Sequence, residues 1–317
     1  MNNKKICLIA SAGGHLNEIL EFKKFIDKNL IYIVTQKRED SYSLNYKNIY
    51  FIQDTGRNFY HVLKNIYDSF KIFLKEKPDI VISTGAGSAL ETMYIAKLFG
   101  KKVIFIESFS RFNSLSLTGK LIYPFADKFF VQWKSMLKYK KAEYIGQLLT
   151  IEPKKYKKEK KTIFLTVGTS NKPFDRLIKL VDEMALKELK DYKIFGQIGA
   201  SKYLPKNFNY EKYLTTKEME ENYKNSEIVI CHAGTGSIIN ALNYGCKVYV
   251  MPRLKKYGEN VDDHQLEIAE EFERINYIST FTDKDEFFKK MKTEKKIEEQ
   301  KKNFNYNILL KEIQNEK

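Results

Sequence analysis

Glycine-rich turns that follow predicted strands are the strongest chemical signal in the sequence. The clearest comes after the apolar run 228–231, precedes a helical pattern, and reads His232-Ala233-Gly234-Thr235-Gly236-Ser237. Glycine lets the backbone approach a ligand closely, and the N–H groups and dipole of a helix's first turn favour an anion. The turn has neither the Gly-Lys-Ser/Thr of a P-loop nor the third glycine of a dinucleotide fingerprint. It is either a phosphate site or an ordinary turn in which Ser237 caps the helix, and spacing alone does not decide between the two.

Three further turns of this kind follow other predicted strands. They are residues 8–16, with Gly13, Gly14 and His15; residues 83–88, with Gly85 and Gly87; and residues 165–170, with Gly168, Thr169 and Ser170. Open α/β sheets bind ligands at the carboxyl ends of their strands. Together, the turns therefore predict a phosphorylated ligand.

Histidines are concentrated at the same places. His15 and His232 lie in the turns and His264 follows Asp262-Asp263 at a predicted helix start, whereas His61 falls inside a long amphipathic pattern. A histidine with its ordinary pKa of about 6.5 can accept a proton near neutral pH, although a structural role is as frequent at such loops. The three clustered histidines are therefore candidates for acid–base chemistry.

Two other kinds of catalytic site find little support in the residues. The sequence has no Gly-x-Ser-x-Gly elbow, which argues against a nucleophilic serine. Its only Asp-x-Asp is Asp283-Lys284-Asp285, and a helix cap after Thr282 explains this motif without a metal. We therefore expect neither a metal nor another cofactor.

The elements that must position these residues alternate along the whole chain. Short β-branched and aromatic runs are followed by amphipathic segments, which predicts an α/β fold with doubly wound parallel sheets. A charged, aperiodic stretch at 150–161 indicates a linker, so we expect domains at 1–150 and 151–317, with terminal helices able to cross back to the first. We expect the two domains to face each other across a cleft. The predicted strands are 5–9, 30–35, 49–52, 79–83, 102–106, 128–131, 162–167, 192–198, 228–231, 247–251 and 276–279, and the clearest helices are 59–77, 174–189, 217–225, 237–244 and 263–274.

Composition excludes several classes of protein. Hydrophobic residues make up 43% of the 317 and aromatic residues 14%, too many for a disordered chain. The 3 cysteines include no Cys-x-x-Cys pair, which excludes a disulfide framework or a cysteine-rich zinc module. No apolar run approaches the ~18 residues that span a bilayer. The net charge of +15 indicates an anionic partner. We expect a cytoplasmic protein, or one bound peripherally to the inner face of the cell membrane.

The segment 111–141 mixes basic residues with leucine and aromatic residues. It is either a packed helix-strand-helix with a solvated basic face or a patch that binds an anionic membrane surface. Nucleic acid would use similar charge, but the sequence has none of the signatures of nucleic-acid-binding modules. We therefore expect no nucleic-acid partner.

These motifs resemble a known group of transferases. Residues 161–275 resemble the catalytic subunit of the two-subunit UDP-N-acetylglucosamine transferase of the dolichol pathway, and equally its bacterial capsule and exopolysaccharide relatives. Residues 5–149 resemble the partner subunit, which anchors that enzyme to the membrane and presents the acceptor. The likeness depends on Val167-Gly168-Thr169, Phe174-Asp175, Gln197-Ile198-Gly199, His232–Ile238 and Asp262–Glu267 in the second region, and on Ser11–Leu16, Ile82–Gly87 and Ile106–Trp133 in the first.

The resemblance implies a GT-B glycosyltransferase that is inverting and metal-independent. It would move N-acetylglucosamine, glucuronic acid, galactose or glucose from a UDP-sugar to a polyprenyl-diphosphate-linked sugar, in a β-1,4 linkage. The base would be His15, with Glu107 as a second catalytic candidate. The residues implied at the donor are Gly168, Thr169, Ser170, Gln197, Gly199, His232, Gly234, Thr235, Gly236, Ser237, Asn240, Asp263, His264 and Gln265, and those on the acceptor side are Gly13, Gly14, Gly85, Gly87 and Arg111.

Two positions depart from the family pattern. Asn240 stands where the family usually has a glutamate that holds the ribose hydroxyls, and Asp263 stands where it has asparagine. Two rivals stay open at this point, an epimerase acting on UDP-N-acetylglucosamine and a non-enzymatic basic protein that binds membranes or nucleic acid. Homo-oligomer formation is also left open.

Overall fold

The computed structural model describes residues 4–24, 26–27, 30–36, 48–53, 59–85, 87–149, 151–292 and 304–314. The chain divides into two compact units, one formed by Met1–Leu149 with Lys302–Lys317 and the other by Thr150–Lys301. The division lies beside the boundary of 150/151 predicted from the sequence.

A seven-stranded parallel sheet forms the centre of the first unit. Its strands are β1 (Ile6–Ala10), β2 (Ile31–Gln36), β3 (Ile49–Ile52), β4 (Ile80–Gly85), β5 (Lys102–Ile106), β6 (Lys128–Val131) and β7 (Ala142–Tyr144). Their order in space is β3-β2-β1-β4-β5-β6-β7. Consecutive residues of β1 are all buried, with Ile6 and Leu8 in one core cluster and Cys7 and Ile9 in another, so both faces of the sheet are covered. The helices of this half are α1 (Gly14–Leu20), α2 (Phe59–Glu76), α3 (Leu90–Leu98) and α4 (Leu117–Ile122).

The second unit repeats this design around a six-stranded parallel sheet. Its strands are β8 (Glu159–Thr166), β9 (Lys193–Gln197), β10 (Asn209–Glu211), β11 (Ser226–His232), β12 (Lys247–Met251) and β13 (Ser279–Thr280). The spatial order is β10-β9-β8-β11-β12-β13. Its helices are α5 (Asp175–Leu186), α6 (Thr216–Asn225), α7 (Thr235–Asn243), α8 (His264–Arg274) and α9 (Lys284–Met291).

The last described helix, α10 (Tyr306–Gln314), belongs to the first unit. Leu309 and Ile313, spaced i, i+4, complete the core cluster that contains Ile6 and Leu8. Lys102 at the start of β5 donates to a side-chain oxygen and to the carbonyl of Glu312. The predicted bounds assigned these residues to the second domain with terminal helices able to cross back to the first, and α10 does so by covering the first sheet with its apolar face.

Both sheets reverse their strand order at one place, between β1 and β4 and between β8 and β11. In doubly wound folds the ligand crevice lies at this topological switch point, outside the carboxyl ends of the strands. The glycine-rich turns singled out in the sequence all follow these four strands. The fold therefore brings them together in pairs, one pair in each unit.

Several boundaries differ from the sequence-based expectation. Strands β7 and β10 were not predicted, because three-residue strands are too short to show a periodic pattern. Helix α7 begins at Thr235 with Gly234 at its N-cap, so the alternative interpretation of Ser237 as the cap was wrong. Strand β8 begins inside the predicted linker, and β13 lies three residues later than predicted, because Asn276 with φ 61° is still part of the turn that ends α8.

Helix α2 turns much of its apolar stripe away from the sheet. Leu63, Tyr67, Phe70 and Leu74 follow i, i+4, i+7 and i+11 spacing, which in a surface helix usually marks the buried face. All four are exposed, Tyr67 to 57% and Leu63 to 50%. The stripe therefore forms part of the surface of the first unit.

The inner face of α2 carries polar residues instead. Asn65 is fully buried, where its amide donates to the carbonyl of Gln53 and accepts from the N–H of the same residue. Ser69 is also buried and accepts a hydrogen bond from the hydroxyl of Thr92. Since buried amides and hydroxyls need partners, these bonds fix which face of α2 points inward.

Candidate functional site

The imidazole of His232 lies between two glycine turns at the switch point of the second unit. A Cβ placed on Gly168, after β8, would be 2.5 Å from Cε1 of this ring. A Cβ on Gly234, after β11, would be 2.2 Å from its Nε2. Real Cβ atoms do not approach so closely, so the ring requires glycine at both positions. His232 therefore fixes the spacing of the two turns.

The two glycines are required for partly different reasons. Gly168 has φ +72°, a left-handed conformation that side chains rarely adopt, and also lacks space for a Cβ. Gly234 has φ −89° and ψ 122°, which any residue can adopt, so only the histidine ring excludes a side chain there. Glycine at position 234 thus marks the packed histidine ring, whereas glycine at position 168 marks both that ring and a left-handed backbone conformation.

The His232 ring is held in its neutral form. Burial, followed by the positive charge of Arg253, lowers its pKa to about 3. Its Nδ1 atom is buried and forms no hydrogen bond within the part of the chain that the structure describes. At neutral pH the ring therefore acts as an uncharged spacer rather than as an acid.

The turn after β8 is braced from below by β9. The Gly168 N–H donates to the hydroxyl of Thr166, and the buried amide of Gln197 donates to the Gly168 carbonyl. Gly199, with φ +55°, has no room for a side chain because a Cβ would be 3.0 Å from that same carbonyl. Gln197 and Gly199, which the resemblance implies at the donor, thus support the turn.

The exposed part of the turn is formed by the next two residues, Thr169 and Ser170. The Ser170 hydroxyl accepts the N–H of Lys172 and so continues the turn. These residues present backbone and hydroxyl groups to solvent beside the glycines.

The start of α7 offers backbone N–H groups to a ligand. No side chain caps this helix and its first turn has no acidic residue. A Cβ on Gly236 would meet no atom within 4 Å, so the space over the first turn is open. Thr235 and Ser237 in the same turn are partly exposed, and Asn240, one turn further, is exposed. Uncapped N–H groups together with the helix dipole make this end suited to an anion.

The start of α8 joins the same site through Gln265. This buried side chain accepts hydrogen bonds at Oε1 from the N–H groups of Ala233 and Arg253. His264 pairs through Nδ1 with Asp262, and its ring is partly exposed. Asp263 accepts the N–H of Lys255, which gives a structural use to the carboxylate that departs from the family pattern.

Arg253, which follows β12 after Pro252, lies beside this site and was not among the residues predicted from the sequence. Its guanidinium is buried and donates to the backbone carbonyls of Val167, Lys172, Pro173 and Glu259. An arginine directly after the apolar strand 247–251 was the available signal, because charged residues are rarely buried without a role.

In the first unit, His15 and Thr84 bridge the switch point between β1 and β4. His15 Nδ1 lies 2.9 Å from the Thr84 carbonyl oxygen, and the Thr84 hydroxyl donates to the His15 carbonyl. A carbonyl only accepts, so Nδ1 carries the proton and the lone pair of the neutral ring is on Nε2. The ring is partly exposed, and it packs 3.6 Å from the position of a Cβ on Gly85.

The remaining glycines of this edge surround an open space. A Cβ on Gly13 or Gly14 would meet nothing within 4 Å, and Gly13 and Gly85 have φ +95° and +109°. Gly87 is exposed at the start of a short 3-10 turn that leads into α3. These two turns give the first unit an accessible backbone edge beside His15.

Glu107, a predicted catalytic candidate, faces the interior. It is 1% exposed, and its carboxylate accepts the N–H groups of Ser108 and Ser116 and the Ser116 hydroxyl. Burial raises its pKa, while its hydrogen bonds and the charge of Arg111 oppose the rise. The loop before α4 thus uses this carboxylate as the acceptor for its backbone N–H groups, and the catalytic role of Glu107 stays a prediction. Arg111 itself is partly exposed.

Glu18, which the sequence did not single out, ties α1 to the same loop. Its carboxylate accepts the Ser108 hydroxyl, the Phe109 N–H and the amide of Gln132. Burial raises the pKa of Glu18 to about 7. Glu18 lies three residues after His15, about one helical turn. This i, i+3 spacing could have pointed to Glu18 from the sequence.

The described residues also bear on two expectations from the sequence, those for a metal site and for a membrane-spanning helix. No three His, Cys, Asp or Glu side chains among residues 4–292 and 304–314, apart from the gaps given above, are grouped to hold a metal. Asp283 of the Asp-x-Asp motif caps α9 by accepting the N–H of Glu286. Within the described ranges, no helix has both the length and the apolar character needed to traverse a bilayer.

Comparison with known families assigns both halves of the chain. Residues 47–148 match the family described as oligosaccharide biosynthesis protein Alg14 like, and residues 162–311 match the glycosyltransferase family 28 C-terminal domain. The UDP-N-acetylglucosamine transferase subunit alg14 of Schizosaccharomyces pombe is 47% identical over 75 residues, 22% of this chain and 36% of the relative. The corresponding subunit of Debaryomyces hansenii is 31% identical over 163 residues, 47% of this chain and 66% of the relative. These matches thus span about one to two thirds of the relatives' length.

Solved structures resemble almost the whole chain in fold. MurG of Acinetobacter baumannii has a TM-score of 0.59 at 18% identity and covers 91% of this chain and 89% of its own. The UDP-GlcNAc 2-epimerase of Methanocaldococcus jannaschii has a TM-score of 0.65 at 16% identity, with 96% and 99% covered. At such identities the likeness concerns the fold, which is GT-B. The chain thus matches an Alg14-like family in its first half and the glycosyltransferase family 28 C-terminal domain in its second.

Proposed function

We propose that the protein transfers a hexosyl unit from a UDP-sugar to a hydroxyl group of a lipid-linked saccharide, with inversion at the anomeric carbon. The observation that carries the proposal is the uncapped start of α7 beside the Gly168 turn, both held by the neutral ring of His232. Backbone N–H groups at a switch point bind a diphosphate without needing a specific side chain. The second unit is therefore the donor site.

The nucleotide and the sugar are proposed from the same edge of the second unit. UDP is the nucleotide named for the transferase relatives, and N-acetylglucosamine is the first sugar to test. Glucuronic acid, galactose and glucose complete the donor panel. Asn240 is exposed one turn into α7, and His264 is partly exposed at the start of α8. In this proposal the Asn240 amide contacts the ribose and His264 contacts the sugar.

We further propose that His15 is the catalytic base. The Thr84 carbonyl fixes the proton on Nδ1, which directs the Nε2 lone pair to the acceptor hydroxyl. As the hydroxyl attacks the anomeric carbon, the α7 N–H groups stabilise the charge that develops on the departing diphosphate. In this proposal no metal takes part, because Asp283 serves as a helix cap and the N–H groups provide the stabilising charge.

The acceptor is proposed to be a polyprenyl-diphosphate-linked sugar, of the kind used in capsule or exopolysaccharide assembly, with a β-1,4 linkage as product. The support is the outward apolar stripe of α2, which carries Leu63, Tyr67 and Phe70 together with Lys71, whose ammonium lies 4.4 Å from the Tyr67 ring centre. Exposed apolar and aromatic side chains with lysines are typical of membrane-surface helices. The first unit is thus proposed to rest on the inner face of the membrane.

A donor panel tests the reaction. Purified protein is incubated with each UDP-sugar and a short-chain polyprenyl-diphosphate saccharide, and the product linkage is determined. We expect one donor to dominate, and His15→Ala to lower kcat by ~100-fold or more at similar UDP affinity. Full turnover by His15→Ala would overturn the base assignment. Conversion of UDP-N-acetylglucosamine to an isomer without acceptor would instead support an epimerase.

Vesicle binding tests the membrane surface. We expect co-sedimentation with vesicles containing anionic lipid and a loss of binding in Tyr67→Glu. The matched control is Leu186→Glu, on α5 of the second unit, where Leu186 is 62% exposed. Equal binding by both variants would refute the role of α2.

A further inference from the structure

Arg253 is a buried cation, and the side-chain hydrogen bonds that it forms with described residues go to backbone carbonyls. Its side chain is 1% exposed, and Nη1 and Nη2 donate over 2.8–3.2 Å to the carbonyls of Val167, Lys172, Pro173 and Glu259. The Nε–H is buried and has no acceptor among the described residues. Burial lowers the pKa of Arg253 to about 10, so the group remains charged at neutral pH.

The nearest carboxylate is already used by another arginine. Both oxygens of Glu259 accept from Arg176, at 3.0 and 2.9 Å, and one of them also accepts the Leu254 N–H. Glu259 therefore neutralises one of two guanidinium groups, and a positive charge remains. A buried charge without an ion-pair partner is costly because it has lost its hydration. The guanidinium of Arg253 has four carbonyl acceptors and lies 4.7 Å from the centre of the Phe174 ring, and a nearby anion would supply the missing negative charge.

This charge lies directly under the two turns of the donor site. The Val167 carbonyl that Arg253 binds immediately precedes Gly168. The N–H of Arg253 shares the side-chain oxygen of Gln265 with the N–H of Ala233, which immediately precedes Gly234. The charge is close enough to His232 to disfavour protonation of its ring. Arg253 thus contacts the Gly168 turn through its side chain and is linked to the Gly234 turn through its backbone N–H and Gln265.

We propose that Arg253 is the positioning residue of the diphosphate site, which clamps the two glycine turns and supplies the buried charge that an incoming diphosphate neutralises. This inference rests on the proposed function and deepens it. Arg253 does not touch the ligand. Its side chain holds the carbonyls of Val167, Lys172 and Pro173 and so fixes the path of the turn that carries Gly168. The positive charge behind this turn acts through a medium of low dielectric.

An Arg253 charge that attracts the diphosphate and an arginine with a purely structural role differ in what their removal does to ligand affinity. Removing it should weaken ligands in proportion to their phosphate charge. The affinity for UDP should fall more than that for UMP, and the affinity for uridine should change least. A clamp without an electrostatic role would lower all three affinities by the same factor.

The experiment measures Kd by calorimetry for uridine, UMP and UDP with Arg253→Met, Arg253→Lys and the native chain. Arg274→Met is the control, because it removes an equal charge from an exposed pair with Glu271 on α8. We expect Arg253→Met to lower the UDP-to-uridine affinity ratio by about tenfold or more, and the control to leave it unchanged. An unchanged ratio in Arg253→Met overturns the proposal.

Arg253→Lys keeps the test open if the methionine variant does not fold. A lysine buried there has a lowered pKa, whereas arginine stays charged. The UDP affinity of Arg253→Lys should therefore fall between pH 7 and 9 while its uridine affinity does not, and the native chain should show no such fall. His232 is already neutral in this range and Glu259 stays paired with Arg176. A pH profile of Arg253→Lys identical to the native profile overturns the proposal, whereas a native chain that does not bind UDP overturns the proposed function itself.

Discussion

The contact between His232 and Gly234 can be tested by a double-mutant cycle. Gly234 has backbone angles open to any residue, so Gly234→Ala changes only the space that a methyl group needs. That methyl would lie 2.2 Å from Nε2 of His232. Gly168 lies against the same end of the ring, since a Cβ there would be 2.5 Å from Cε1, so the ring has little room to move. The ring or the backbone of one turn must therefore shift.

The size of the effect follows from overpacking. Forcing an extra methyl into a packed site costs about 1–3 kcal/mol of unfolding free energy. In a unit of this size, a loss of 1 kcal/mol lowers Tm by about 2–4 °C. The same shift displaces the start of α7, so UDP affinity should fall as well. His232→Ala alone should also destabilise the chain, because it leaves a cavity between the turns.

The decisive measurement is the combination of the two changes. In His232→Ala the added methyl no longer meets a ring, so Gly234→Ala should then be nearly neutral. The coupling energy should be about 1–3 kcal/mol in favour of the double variant, measured by urea unfolding. Additivity of the two losses to within about 0.5 kcal/mol would refute the argument that the ring demands the glycine.

Three further predictions concern the first unit. Glu18→Gln keeps an oxygen that accepts from the Phe109 N–H and the Gln132 amide, while its NH2 group can donate to the Ser108 hydroxyl, and it removes the titration. Because burial raises the pKa of Glu18 to about 7, native stability should decline as pH rises from about 4.5 to 7. In urea unfolding the variant should therefore exceed the native chain by up to ~3 kcal/mol above pH 7 and show no advantage below pH 4. Gly119→Ala should cost about 1–3 kcal/mol in thermal unfolding, since its Cβ would be 2.2 Å from a Glu107 oxygen. Glu312→Gln should cost about 1–2 kcal/mol through its part-buried pair with Lys102, and unchanged stability would mean that α10 docks by its apolar face alone.

The sequence predicted the sheets well because their strands are apolar on consecutive positions. Runs such as 228–231 and 102–106 are long, β-branched and bounded by turns, and these properties survive any tertiary context. The orientation of α2, whose apolar stripe faces outward, could not be predicted in this way. Its outward stripe has ideal helical spacing, and only the partners of Asn65 and Ser69 reveal which face is inside.

The candidate site was predicted less completely than the fold. Spacing placed the glycine turns and His15 at strand ends, where the structure has them. It could not assign Glu107, because a carboxylate that supports a loop and one that meets a substrate have the same sequence signature. It also missed Arg253, whose partners are backbone carbonyls that leave no trace in the pattern of side chains.

Two histidines at equivalent switch points have been given different chemistry by their surroundings. His15 donates from Nδ1 to a carbonyl and keeps a partly exposed ring, an arrangement that orients Nε2 for proton transfer. His232 is enclosed by two glycines above a buried arginine, an arrangement that prevents protonation and makes the ring a spacer. The difference depends on hydrogen bonding and burial rather than on motif. Under the proposed function, the first unit provides the base and the second a neutral, charge-supported anion site, the two parts that transfer to a hydroxyl with a diphosphate leaving group requires.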